Sequence, residues 1–318
     1  MKLSIITINY NNRDGLQKTV DSVVSQTYKN FEWIIIDGGS TDGSKELIEQ
    51  YQDHCAYWCS EPDKGIYNAM NKGVEKATGE YCLFLNSGDR LHDDTVVDKI
   101  VKEFDGMDFI SGDEWWVNEN YQMIKKNENP DFVTKYHMLV GILWHQCTFI
   151  KTSLLKEHPY DDSLKIAADW EEMFYEFLIN NRTYKHCRII VSDFVVGGMS
   201  ERNWALLCSE RKMIRDKYLS QKEQDLISIE HHLQKRDSIA IRQMGEIAYT
   251  AFVNQYYSQL EYVNLFLPYR QEIIQGCTWY QRCFVKLCLT GKMQLAMFLY
   301  HFVRSLICKK NMMGVVVI

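Results

Sequence analysis

Four prolines in 318 residues impose few breaks, which suits a chain built mainly from regular, helix-rich structure. Long apolar stretches are missing as well. In the last forty residues the longest charge-free run, between Lys292 and Arg304, falls short of the roughly 20 residues that a bilayer-spanning helix needs. The opening MKLSIITINYNN is too short for a secretory leader and is interrupted by Asn9, so a cytoplasmic protein is expected. The ten cysteines are scattered, and their closest pair, Cys55 and Cys59, lacks the two-residue spacing of a zinc knuckle or redox pair. Reduced thiols are the expectation. No G-x-G-x-x-G occurs, which disfavours a dinucleotide dehydrogenase. A net charge of −6 disfavours a general nucleic-acid binder, so no nucleic-acid partner is expected. Acids stop after Glu272 while Arg282, Lys286, Lys292, Arg304, Lys309 and Lys310 follow, leaving a basic tail on an otherwise acidic chain.

What is present is an ordinary globular composition, 46% hydrophobic and 25% charged. From residue 3 to about 115, apolar β-rich runs alternate with amphipathic segments. LSIITINY, FEWIIID, YCLFLN and MDFISGD are expected as strands. Helices are expected in DGLQKTVDSVVSQ, SKELIEQY, YNAMNKGVEKAT and TVVDKIVKEF. Such alternation predicts a mostly parallel sheet with helices on both faces. Residues 116 to 200 are less regular, with an extended CTFIK, a helical DWEEMFYEFLINN and a strand RIIVSDFVV. Beyond them helical patterning takes over. The expected organisation is a domain over 1–205 and a helical C-terminal region over 206–318. Near the end Leu295, Phe298, Leu299, Phe302 and Leu306 share one helical face, which either packs on the first domain or lies at a membrane interface among the basic residues.

Four short stretches carry candidate chemistry, and each has a plainer reading. IIIDGGSTDGS puts Asp37 at a strand end before a Gly-rich turn; a carboxylate there can hold a base or ribose, and it also makes a good turn. LNSGDRL ends a strand in Asn86, Ser87, Gly88 and Asp89, and Asp89 is either a ligand for a hard divalent cation or an acid near a helix start. EPDKGIYNAMNKG places Asp63 and Lys64 on a turn before a helix, where the ammonium can meet phosphate charge or simply face water. AADWEEMF brings Asp169, Glu171 and Glu172 to a helix start, as macrodipole partners or as the source of a general base.

Taken together and in order, LSIITINYNN, IIIDGGSTDGS, EPDKGIYNAMNKGVEKATGEYCLFLNSGD and AADWE resemble the family 2 glycosyltransferases, over roughly residues 2 to 200. The resemblance implies an α/β, GT-A fold: a Rossmann-like, mostly parallel mixed sheet flanked by helices, here with a helical C-terminal extension. It implies an inverting transferase that moves a hexosyl-type sugar from a UDP- or GDP-sugar to a glycan or lipid-linked acceptor in bacterial polysaccharide assembly, from the cytoplasmic side of the membrane. Ile8, Asn9, Tyr10 and Asp37 would then hold the nucleotide, with Asp63, Lys64, Asn86, Ser87 and Gly88 completing that side. Asp89 would hold Mn²⁺ or Mg²⁺ on the diphosphate. Only this acid survives of the family's D-x-D-like pattern. Asp169 would be the general base, with Ala168 where the family carries a glutamate. His145 and Gln146 of WHQCTF and Trp115 are weaker candidates for acceptor or phosphate contact. Two other readings remain, a nucleotidyltransferase, for which NYNNRDG offers only Arg13 to grip a triphosphate, and a non-catalytic nucleotide-sugar binder.

Overall fold

The structure, a computed structural model, describes residues 3–198, 202–225, 227–228, 285 and 288. The chain divides into two compact units, Met1–Ile214 and Arg215–Ile318, and the whole sheet lies in the first. At its centre β1 (Leu3–Asn9) is buried at every position and lies parallel to β2 (Phe31–Asp37) on one side and β4 (Tyr81–Phe84) on the other. β3 (Tyr57–Ser60) continues the parallel arrangement beyond β2. Strands covered on both faces read as mostly apolar runs, which explains why WIII has no polar alternation and why the two hydroxyls in SIITI, Ser4 and Thr7, are buried and hydrogen-bonded.

The second half of the sheet is more mixed. It contains β5 (Arg90–Leu91), β6 (Phe109–Val117), β7 (Met123–Asn127), β8 (Thr148–Lys151) and β9 (Tyr184–Val195). The strand order is β3-β2-β1-β4-β8-β6-β9-β5, with β7 hung on β6. β8 runs antiparallel to β4 and β6, whereas β9 returns parallel to β6. The α/β sheet flanked by helices expected from the sequence is therefore present, with its antiparallel pairings gathered in this half. β5 spans two residues and the first four positions of β7 are exposed, so neither gave the apolar signal that marks a strand.

Helices α1 (Arg13–Val24), α2 (Ser44–Gln50) and α3 (Ile66–Lys76) join the parallel strands, and α4 (Val96–Ile100), α5 (Lys135–Val140) and α6 (Thr152–Glu157) are short. α7 (Ala168–Leu178) and α8 (Trp204–Tyr218) complete the described set. α1 buries Leu16, Val20 and Val23 one turn apart and begins with Asn12 accepting the Gly15 N–H at 3.3 Å. The described cysteines are all free thiols. Among the described residues no helix is long and apolar enough to cross a membrane. The apolar face from Leu295 to Leu306 lies outside the described residues.

α3 rests on β1 so closely that a Cβ at Gly73 would fall 2.4 Å from Cγ2 of Ile6. A β-branched methyl in a buried strand has little room to turn away. Gly73→Val should therefore destabilise the fold by about 2–3 kcal/mol, read as a lower urea midpoint at unchanged slope. An unaltered midpoint would contradict this contact.

Candidate functional site

The carboxyl ends of β1, β2, β3 and β4 form one edge, and Asp37 ties the first three together. Its carboxylate is fully buried and accepts from Asn9 Nδ2 at 2.7 Å, Ser60 Oγ at 2.6 Å, Ser40 Oγ at 2.5 Å and Ser40 N at 2.9 Å. Burial alone would raise its pKa, but the bonds from Ser40, Ser60 and Asn9 outweigh it and hold the group below the usual carboxylate value. Tyr10 stands 65% exposed just beyond β1. Beside it, a Cβ on Gly38 would meet Asp63 Oδ2 at 2.6 Å, so position 38 is glycine because the Asp63 carboxylate occupies that space. Ile8 lies buried beneath this surface, its carbonyl taking the Ser87 N–H at 3.0 Å, and Lys64 is exposed on the turn before α3.

The turn after β4 is held from three sides. Asn12 Nδ2 donates to the Ser87 carbonyl at 2.9 Å, Thr19 Oγ1 to the Asp89 carbonyl at 2.6 Å, and the Tyr121 hydroxyl to the Gly88 carbonyl at 2.6 Å. Gly88 has φ of +108°, a conformation that a side chain would strain. Arg90 is fixed against Asp193 at 2.7 Å and lies over the Tyr121 ring. Asp89 is thus delivered by a braced turn, yet among the described residues no donor bonds its carboxylate. Burial raises its pKa to about 7.

Opposite stands Asp169, in the first turn of α7. Its Oδ1 accepts from the Tyr67 hydroxyl at 3.0 Å and from Trp170 N at 2.9 Å, while Oδ2 faces His145 Nδ1 at 3.2 Å. Burial opposes its charge, but the His145 bond leads the opposing effects and keeps it ionised below the usual range. The same pairing raises the His145 pKa despite burial. The other ring nitrogen of His145 lies 3.3 Å from Asn86 Nδ2, so the imidazole spans from the base candidate to the turn that carries Asp89. Below lies Glu114, fully buried, its Oε1 accepting from Trp116 Nε1 at 2.6 Å and its Oε2 without a partner.

The donor set suits a hard divalent cation shared with a ligand. Asn86 Oδ1 is buried without a partner next to the unbonded Asp89 carboxylate, and oxygen donors of this kind suit Mg²⁺ or Mn²⁺. Among the described residues no three acidic, histidine or cysteine side chains close a metal site by themselves, so phosphate oxygens would have to complete the shell.

Of the residues singled out from the sequence, Ile8, Asn9, Tyr10, Asp37 and Asp63 gather on one edge, and Asn86, Ser87, Gly88, Asp89, His145 and Asp169 on its continuation. Gln146 is buried in the 3₁₀ turn behind His145. Trp115 is not brought there: adjacent strand residues face opposite ways, and its ring packs edge-on to His92 with centroids 4.4 Å apart. Tyr67, Glu114 and Tyr121 were not read from the sequence. A tyrosine at the start of an amphipathic helix, a second acid in a strand and a hairpin residue carry no local mark of the contacts they make.

A mixed sheet flanked by helices, with a braced carboxylate edge facing a buried, ionised carboxylate, is the GT-A arrangement. The model of glycosyl transferase family 2 matches residues 4–200, and the chain belongs to that family. A glycosyltransferase of Mycobacterium tuberculosis, MT1564, described as uncharacterized, is 33% identical over 217 residues, covering 66% of this chain and 82% of its own. A PGL/p-HBAD biosynthesis glycosyltransferase of Mycobacterium bovis is 27% identical over 205 residues, covering 62% of this chain and 78% of its own. The mannosyltransferase PcManGT of Pyrobaculum calidifontis, solved with GDP-Man and Mn²⁺, shares the fold with TM-score 0.52 at 15% identity, covering 92% of this chain and 86% of that one.

Burial raises the Glu114 pKa from 4.5 to about 7, with the Asp89 charge adding to it. Between those values the folded chain keeps a proton that the unfolded chain gives up, so stability falls as pH rises across this window and levels off above it. Glu114→Gln keeps an acceptor for Trp116 and removes the titration. In metal-free buffer it should stabilise the protein by on the order of 2 kcal/mol at pH 8 and hardly at pH 4, measured by thermal melts at both values. Equal shifts at the two pH values would contradict the assignment.

Proposed function

We propose that this glycosyltransferase moves a hexosyl-type sugar from a UDP- or GDP-sugar to a hydroxyl of a glycan or lipid-linked acceptor in bacterial polysaccharide assembly, with inversion. The observation that carries the proposal is Asp169: a buried, ionised carboxylate held at both oxygens, linked through His145 to the turn that bears Asp89. The nucleotide lies along Ile8, Asn9, Tyr10, Asp37 and Asp63, with Lys64 reaching toward phosphate. Asn86, Ser87 and Gly88 border the sugar and diphosphate.

Asp169 takes the proton of the acceptor hydroxyl as its oxygen bonds to the anomeric carbon. The bond from that carbon to the diphosphate breaks on the opposite face, and the nucleoside diphosphate departs with the electron pair. One displacement inverts the anomeric centre. Tyr67 and His145 fix the carboxylate so that its remaining lone pair meets the hydroxyl. Asp89, with the Asn86 amide oxygen, would hold Mn²⁺ or Mg²⁺, which when bound supplies Lewis-acid stabilisation of the diphosphate charge. The GDP-Man and Mn²⁺ held by PcManGT support this choice of donor and cation.

Asp169→Asn should lower the transfer rate by about 10²–10⁴-fold, the range expected of a lost general base, and leave nucleoside diphosphate affinity within about twofold. Isothermal titration beside a coupled assay checks both. Full activity would remove Asp169 from the base role. In a thermal-shift screen, GDP or UDP should stabilise the wild type more with Mn²⁺ than without, and Asp89→Ala should abolish that difference. Stabilisation by no nucleotide would undercut the whole reading.

A further inference from the structure

The family match ends at residue 200, and α8 lies beyond it. This helix nevertheless reaches the start of α7. Its Glu210 is only 5% exposed, and its carboxylate accepts three backbone N–H groups in a row: Lys165 at 2.8 Å, Ile166 at 3.0 Å and Ala167 at 3.0 Å. Leu207 and Ile214, on the same side of α8, are buried with it. The next residue, Arg211, lies over the Trp170 ring at 5.0 Å, and Trp170 Nε1 donates to the Gly141 carbonyl at 2.6 Å. α7 itself is capped by Ala167, which offers no side-chain hydrogen bond. Its entry is thus set by a carboxylate from another helix, whose negative charge also suits the positive end of α7.

Asp169 sits two residues past this clamp, between Ala168 and Trp170. We infer that Glu210 is a positioning residue for Asp169, and that the catalytic machinery of this chain extends through α8 beyond the family's own span. The inference rests on the role proposed above for Asp169. Glu210 touches no substrate in this account. It fixes where the helix turn bearing the base begins, and a base displaced by an ångström costs on the order of 10²-fold in rate. The elements that hold nucleotide, the ends of β1, β2 and β4, make none of these bonds, so donor binding does not depend on them.

The test compares the full-length wild type with Glu210→Ala and Glu210→Gln by kcat, by affinity for GDP and UDP with Mn²⁺, and by amide exchange. Glu210→Ala should lower kcat by about 30–100-fold and leave nucleotide affinity within about twofold, and Glu210→Gln, which keeps one acceptor oxygen, should fall between. Exchange should quicken over residues 164–172 and stay unchanged in β1, β2 and β4. Unchanged kcat in Glu210→Ala, or kcat and nucleotide affinity declining together in both variants, would overturn the inference. If the wild type transfers no sugar, the functional reading fails separately. The exchange data then decide the clamp, which local quickening supports and an unaltered or sheet-wide pattern refutes.

Discussion

A carboxylate taken out of water needs donors, and the way this chain shares donors among its buried acids determines what each acid can do. Asp37 receives four hydrogen bonds and is a structural tie: it draws the ends of β1, β2 and β3 onto one edge. Glu210 receives three from consecutive amides and anchors the start of α7. Asp169 is gripped at both oxygens and stays charged. Asp89 receives none among the described residues, and its carboxylate is left for something the protein does not itself contain.

That gradient gives the site its polarity. On the donor side, Asn9, Ser40 and Ser60 spend their hydrogen bonds on Asp37, so the edge is formed before any ligand arrives. At the turn after β4, Thr19 and Tyr121 bind backbone carbonyls rather than the Asp89 side chain, fixing the loop while sparing its charge. On the opposite side Tyr67 and His145 hold the Asp169 carboxylate from two directions. Preorganisation of this kind lowers a barrier because the groups need not move as charge develops.

The parallel half of the fold was legible because β1 and β2 are mostly apolar and the helices between them keep a 3.6-residue period. Asp37, Asp89 and Asp169 stand out in the sequence because each lies in one of four motifs of fixed order. The rest depends on contacts between distant residues. Tyr67 meets Asp169 across 102 positions, and nothing near Tyr67 announces it. Glu210 reads as one more charge on an amphipathic helix until the fold brings it to Ala167. Trp115 misled for the converse reason: an aromatic next to a site acid in a strand points to the other face.

A single displacement with Asp169 as the proposed base inverts the anomeric centre. The anomeric configuration of the product is read from proton couplings by NMR during turnover of an α-linked nucleoside diphosphate sugar. A β-linked product is expected from the first turnover onward. An α-linked product would exclude a single displacement.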